Sequence, residues 1–250
     1  MPTTPNTATP PSPLQPLTGV RVADFSSNMA GPYGAMILAQ LGADVIKVEP
    51  PQGDDSRAWP PFVEGMSLSH RHMGAGKRGM VIDLKVPEGV AVALALIANC
   101  DVVLQSMRPG GADRIGIGQA ASRAANPDVL YYDLNAFGSG PTGNAMPGYD
   151  PLVQAFTGIM QMTGHAGSPP TRCAPSLIDL GSGQWIAMGV LADDGAAKRC
   201  TRRLPRNRVG GHGLQCDSLP GHGSKAVGPA ATQGRLGQPY SSALPVLSRA

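Results

Sequence analysis

Apolar residues along the first three quarters of the chain fall into short β-rich runs that alternate with helical spacings. GVRVADF (residues 19–25) is predicted as a strand. GPYGAMILAQLG (31–42) spaces its apolar residues as one helix face does, and Gly42 supplies a stop signal. ADVIKVE (43–49) is again a strand. Strand, helix and strand within about 30 residues form a βαβ unit, which implies a parallel sheet and a right-handed crossover. The alternation continues with strand MVIDL (80–84), helix PEGVAVALALIANC (87–100) and strands DVVLQ (101–105) and VLYYDLNAF (129–137). Pro87 suits a first helical turn. YDPLVQAFTGIMQMTG (149–164) is helical with Gly164 as its stop, and SGQWIAMGVLA (182–192) opens another helix. The fold class expected is α/β, a Rossmann-like parallel sheet with flanking helices.

Composition divides the chain. With 33 Gly and 25 Pro in 250 residues, irregular sequence is expected, and it gathers at the two ends. Residues 1–16 form a Pro/Thr-rich tail and 17–192 the α/β domain. Residues 193–250 contain no Met, Ile, Phe, Trp or Glu, and such a Gly/Pro/Arg-rich stretch buries too little apolar surface to offset its chain entropy. The abrupt change at 193 reads as out-of-frame translation of a longer coding region. The net charge of +3, without aromatic interleaving in the basic tail, argues against nucleic acid. No apolar run approaches the roughly 20 residues of a membrane span. The first residues have neither the basic start nor the apolar core of a secretory signal. Cys100, Cys173, Cys200 and Cys216 show no paired spacing, so a reduced, cytoplasmic setting is expected.

Several motifs carry little chemistry. GSGPTG (138–143) matches a dinucleotide fingerprint and follows a strand, but Pro147 and Gly148 argue against the helix that such a site requires. Glu49 ends the first βαβ unit as a ribose-binding acid would, yet the turn SSNMAGP has no glycine triplet. His70 and His72 have no metal-like spacing and are predicted on a solvated loop, with His165 in a turn and His212 and His222 in the tail. No metal site is expected. SLIDLGSGQW (176–185) is different: it delivers one carboxylate, Asp179, between an apolar run and glycines. That acid is a helix cap, a metal ligand or a catalytic group.

Taken in order, five segments resemble the class III CoA-transferases, which include formyl-CoA and carnitine CoA-transferases and the related α-methylacyl-CoA racemases. They are VADFSSNMAGPYGAMILAQLGADVIKVEPPQGD, GKRGMVIDLKVPEG, SMRPGGADRIGIG, GYDPLVQAFTGIMQMTG and SLIDLGSGQWIAMGVLA, spanning residues 16–192. The resemblance implies that Asp179 is the catalytic aspartate. It implies coenzyme A contacts at Met29 and Ala30, at Ile82, Asp83, Leu84 and Lys85, at Ser106, Met107, Arg108 and Arg114, and at Tyr149 and Asp150. Ser106 and Met107 depart from the family's usual Asn-Phe, and Tyr149 stands where the racemases place a histidine.

The implied activity is acyl-CoA:carboxylate CoA transfer through an aspartyl anhydride and an aspartyl-CoA thioester. Its partners are an acyl-CoA and a carboxylic acid, and it needs no cofactor beyond coenzyme A as substrate. The planar forks of Arg108 and Arg114 suit CoA phosphates, or are ordinary surface charges. Backbone N–H groups of the glycines after Asp179 are candidate oxyanion donors. The alternatives are an α-methylacyl-CoA racemase, which needs two acid/base groups, and a truncated, non-catalytic remnant. Family members form an interlocked homodimer with a second domain, no trace of which is legible here.

Overall fold

The structure, a computed structural model, describes residues 15–138, 140, 143 and 146–201, with side chains through Asp193. Cys216, His212, His222, most of both predicted tails, and Ser139, Pro141 and Thr142 of GSGPTG lie outside the described residues.

The predicted βαβ unit is present as β1 (Arg21–Phe25), α1 (Ala30–Gln40) and β2 (Asp44–Glu49). A one-turn 3-10 helix (Asp55–Ala58), a hairpin of β3 (Phe62–Val63) and β4 (Met66–Ser67), and α2 (Leu68–Met73) follow. Next come β5 (Arg78–Val81), α3 (Pro87–Ile97), β6 (Val102–Gln105), α4 (Gly111–Ile115), α5 (Gln119–Ala125) and β7 (Leu130–Asp133). Three helices close the described chain: α6 (Asp150–Phe156), α7 (Ile159–Met162) and α8 (Leu177–Thr201).

Five strands form one parallel sheet in the order β5-β2-β1-β6-β7. β1 is central, with Val22 beside Val45 on one side and Val102 on the other. Both sheet faces are covered, so alternate residues of one strand enter different cores. Val22, Val45, Val102 and Leu104 pack with Leu38 of α1 and Ile186 and Val190 of α8. Ala23, Phe25, Val48 and Val103 pack with Ala93 and Ile97 of α3 and with Ile117.

Four predicted elements differ. The strand expected over 80–84 lies at Arg78–Val81, and the one expected over 129–137 ends at Asp133. The single helix expected over 149–164 is broken at Gly158, which adopts φ +79° between α6 and α7. The helix expected from Ser182 begins five residues earlier, at Leu177, and runs to Thr201, past the composition change at 193. Its glycines serve a close crossing. A Cβ on Gly183 would lie 2.7 Å from the Ala30 carbonyl oxygen, and one on Gly34 would lie 2.8 Å from the Gly183 carbonyl oxygen. Bare backbone at both positions lets α8 lie on α1, which fixes where its first turn stands relative to the end of β1.

Candidate active site

In chain order the five sheet strands read 3-2-1-4-5, so the winding reverses between β1 and β6. In open α/β sheets, ligands bind beyond the carboxyl ends of the strands at this reversal. A cavity of about 370 Å³ lies there, lined from the ends of β1, β6 and β7 and from the starts of α6 and α8.

Local hydrogen bonds shape its walls. The Ser27 N–H donates to Ser106 Oγ at 2.9 Å, tying the end of β1 to the end of β6. Asn28 adopts φ +66°, a left-handed conformation that asparagine tolerates better than most residues. Its N–H donates to Asp54 Oδ1 at 3.3 Å. Beyond β6, Gln105 Oε1 accepts from the Met107 N–H at 2.7 Å and turns the chain toward Arg108.

The first turn of α8 is capped from a distance. Asp150, 3% exposed, accepts on Oδ1 from the Ile178 N–H at 2.8 Å and the Asp179 N–H at 3.4 Å. Its Oδ2 accepts from Gln154 Nε2, and the Arg172 Nε lies 3.9 Å away. A carboxylate in a first helical turn is ordinarily stabilised by free N–H groups. Here Asp150 takes them, and Asp179 receives a like charge in their place. Burial, then Asp150, push the Asp179 carboxyl up to about 6, against a weaker opposing pull from Arg172.

Two expectations at this point are corrected. Asp179 does not cap a helix beginning near Ser182; it stands inside the first turn of α8, and Asp150 is the cap. Gly181 and Gly183 lie within α8, where backbone N–H groups bond to carbonyls one turn back, so they are not oxyanion donors.

Of the residues singled out from sequence, Met29, Ala30, Ser106, Met107, Arg108, Tyr149, Asp150 and Asp179 line the cavity together. Ile82, Asp83, Leu84, Lys85 and Arg114 lie outside that lining. Ile82 is buried in the α3-side core, and Asp83 Oδ1 accepts from the Lys85 N–H at 3.0 Å in a turn beyond β5. Arg114 folds back against Gly110. Sequence reasoning missed Asn28, Asp55, Leu134, Asn135, Phe137 and Ser182 in the lining. For Asn135 the available signal was two polar residues, Asp133 and Asn135, interrupting an apolar strand at its carboxyl end.

A second cavity, about 180 Å³, lies beside β2 and α2. It is walled by paired charges: Lys47 with Asp54 at 3.3 Å and Arg57 with Glu49 at 2.7 Å. Lys77 reaches from this wall to the buried Asp24 at 2.9 Å. Asp24 also accepts from Ser26, and Lys47 donates to the Ser26 carbonyl, so the network grips the turn after β1. His70, expected on a solvated loop, is on α2 and half-buried, with Nδ1 2.9 Å from Ser56 Oγ.

The switch-point cavity, with a raised carboxyl in the first turn of a helix at its edge, defines a class: an α/β domain with a cavity beyond the carboxyl ends of its parallel strands. The chain belongs to CoA-transferase family III, whose family model matches residues 17–199. It is 38% identical over 191 residues to the succinate–glutarate CoA-transferase of Agrobacterium fabrum, covering 73% of this chain and 48% of that protein. It is 38% identical over 185 residues to the acetyl-CoA:oxalate CoA-transferase of Acetobacter aceti, covering 73% and 47%. The crystal structure of Rv3272 from Mycobacterium tuberculosis superposes with a TM-score of 0.69 at 35% identity, covering 76% of this chain and 52% of that one. The chain thus spans about half the length of the relatives it matches. Among the described residues no helix is long and apolar enough to cross a membrane.

Proposed function

We propose that this chain binds an acyl-CoA in the switch-point cavity and carries the transfer half-reaction of an acyl-CoA:carboxylate CoA-transferase, with Asp179 as nucleophile. The observation that carries the reading is the Asp179 carboxyl: half-buried, raised to about 6, and facing a cavity that Arg108 also lines. A carboxyl of that pKa is about nine-tenths ionised at pH 7, yet more basic than a solvated aspartate, so it is both available and a better nucleophile.

The steps balance without an external proton. An Asp179 oxygen attacks the thioester carbonyl, the C–S bond breaks, and a mixed anhydride and CoA thiolate result. The thiolate attacks the Asp179 carbonyl of the anhydride, the C–O bond breaks, and the donor acid leaves as carboxylate from an aspartyl-CoA thioester. An acceptor carboxylate attacks that thioester, thiolate leaves again, and its attack on the acceptor acyl carbon yields the new acyl-CoA and free Asp179. Holding carboxylate and thioester together supplies an effective molarity of about 10⁵–10⁸ M. Arg108 is assigned to a CoA phosphate, where a guanidinium fork binds oxygens in pairs. Substrates are an acyl-CoA and a carboxylic acid, no other cofactor enters the scheme, and a reduced cytoplasmic setting suits it.

The test is thermal-shift titration with CoA, followed by acyl-CoA with hydroxylamine and peptide mass spectrometry. The reading expects stabilisation by CoA and a hydroxamate at Asp179. Deuterium uptake at the acyl α carbon with no adduct assigns racemase chemistry instead, and no CoA binding assigns a non-catalytic remnant.

A further inference from the structure

Asn135 stands two residues beyond the end of β7, and it lines the same cavity as Asp179 and Ser106. Its Oδ1 is shut off from solvent and has no hydrogen-bond partner among the described residues. Buried acceptors are paired in the large majority of cases, so one left unpaired beside a cavity asks for an explanation. The local backbone gives none: the neighbouring Leu134 N–H is already spent on the Gln105 carbonyl at 2.9 Å. An asparagine amide turns about a broad, roughly two-fold terminal torsion. A half-turn therefore exchanges its two polar ends and brings the acceptor toward the cavity, at the cost of no backbone change. So turned, the acceptor that lacks a partner in the free protein can take an N–H from a bound ligand.

We propose that Asn135 is a substrate-binding residue whose carboxamide pairs with an amide of the CoA pantetheine arm. This inference rests on the CoA-binding reading above. The arm is the part of an acyl-CoA that joins the phosphates to the thioester, and it carries secondary amides, each with one N–H and one C=O. A primary carboxamide meets one of them end on: turned to the cavity, Oδ1 accepts from the N–H of one amide, while Nδ2 takes the enclosed position that Oδ1 leaves. Asn135 follows β7, whereas Arg108 follows β6 and Asp179 stands on α8, so the three groups approach the cavity from three different parts of the fold. Phosphate at Arg108, amide at Asn135 and thioester at Asp179 form the order in which the arm would be read. Neither the sequence motifs nor the charge pattern assigns Asn135 any task.

The experiment titrates the full chain, by calorimetry, with CoA and with adenosine 3′,5′-bisphosphate, which keeps the nucleotide end and lacks the arm. Asn135→Ala is expected to weaken CoA binding by about tenfold and to leave bisphosphate binding unchanged. Its stability should equal or exceed that of the parent, because the unpaired acceptor is gone. If the alanine chain does not fold, Asn135→Leu, close to asparagine in volume and without polar atoms, reads the same contrast. Unchanged CoA affinity in a folded variant, or equal losses for CoA and the bisphosphate, overturns the inference while leaving the CoA-binding reading intact. Failure of the parent chain to bind CoA overturns the reading and the inference with it.

Discussion

Glu49 in one cavity and Asp179 in the other are treated in opposite ways. In the cavity beside β2, each acid faces a cation: Arg57 holds Glu49 down to about 2, with burial opposing, and Lys47 and Lys77 outweigh the burial that would raise Asp24. At the switch point, Asp179 is raised to about 6 by burial and by Asp150, and Asn135 keeps an unpaired oxygen. Charges that are compensated hold a fold together, whereas polar groups left in want of a partner are where a ligand gains the most. The compensated network adjoins the loop after β1 that lines the switch-point cavity, because Asp54 belongs to one and holds Asn28 of the other.

This contrast is broken most severely at Asp179. Asp179→Asn should cut hydroxylamine-trapped adduct by about a thousandfold or more, since an amide nitrogen and oxygen do not replace a carboxylate nucleophile. The same variant should gain stability. A carboxyl raised from 3.8 to about 6 favours the folded state fully below 3.8 and loses that contribution as pH rises through 6. Asparagine does not titrate, so its advantage, about 1 kcal/mol after screening at a half-exposed site, should appear in urea melts at pH 8, shrink as pH falls through 6, and vanish only below 3.8.

The next largest effect falls in the compensated region. Lys77→Ala leaves Asp24, 0% exposed, without its 2.9 Å partner, and should cost about 3–5 kcal/mol in denaturant unfolding. Gly183→Ala comes third: a methyl 2.7 Å from the Ala30 oxygen pushes α8 off α1, at about 1–3 kcal/mol, and should weaken CoA binding because Asp179 and the α1 start move apart. Asp54→Ala should lower CoA affinity severalfold by releasing Asn28, with Asp54→Asn recovering most of it through the retained oxygen. Smallest is Glu49→Gln. Its acid is depressed from 4.5 to about 2, so the native contribution is present above 4.5 and lost as pH falls through 2. The variant should be about 1 kcal/mol less stable at pH 7, Arg57 being half-exposed, and equal to the parent below pH 2. The pH dependences of the Glu49 and Asp179 variants therefore run in opposite senses.

The sheet was legible because its determinants are local. Period-two and helical spacings, Pro87 at a helix start and Gly42 after a helix end placed β1, α1, β2, α3 and β6 within a few residues. The acid-bearing helix was misread because its first N–H groups are held from a distance: Asp150 reaches the Ile178 N–H across 28 residues, while the hydroxyl of Ser176, immediately before the start, accepts from Arg172 instead. Gly181 and Gly183 looked like a turn because glycine marks turns more often than helix crossings, and the close approach to Ala30 and Gly34 exists only once the sheet has formed. The paired network was invisible for the same reason. Asp24, Lys47, Asp54 and Lys77 are scattered over more than fifty positions and form no motif until the strands bring them together. Asn135 showed only as a polar residue at the end of an apolar run, and its place in the lining needed the folded sheet.

Peptide mass spectrometry of the chain after acyl-CoA and hydroxylamine tests the central claim most directly. The account predicts a hydroxamate on the peptide carrying Asp179, dependent on the acyl-CoA and absent from Asp179→Asn. Saturation of the chain by acyl-CoA with Asp179 unmodified, or with the label on another carboxyl, would contradict it.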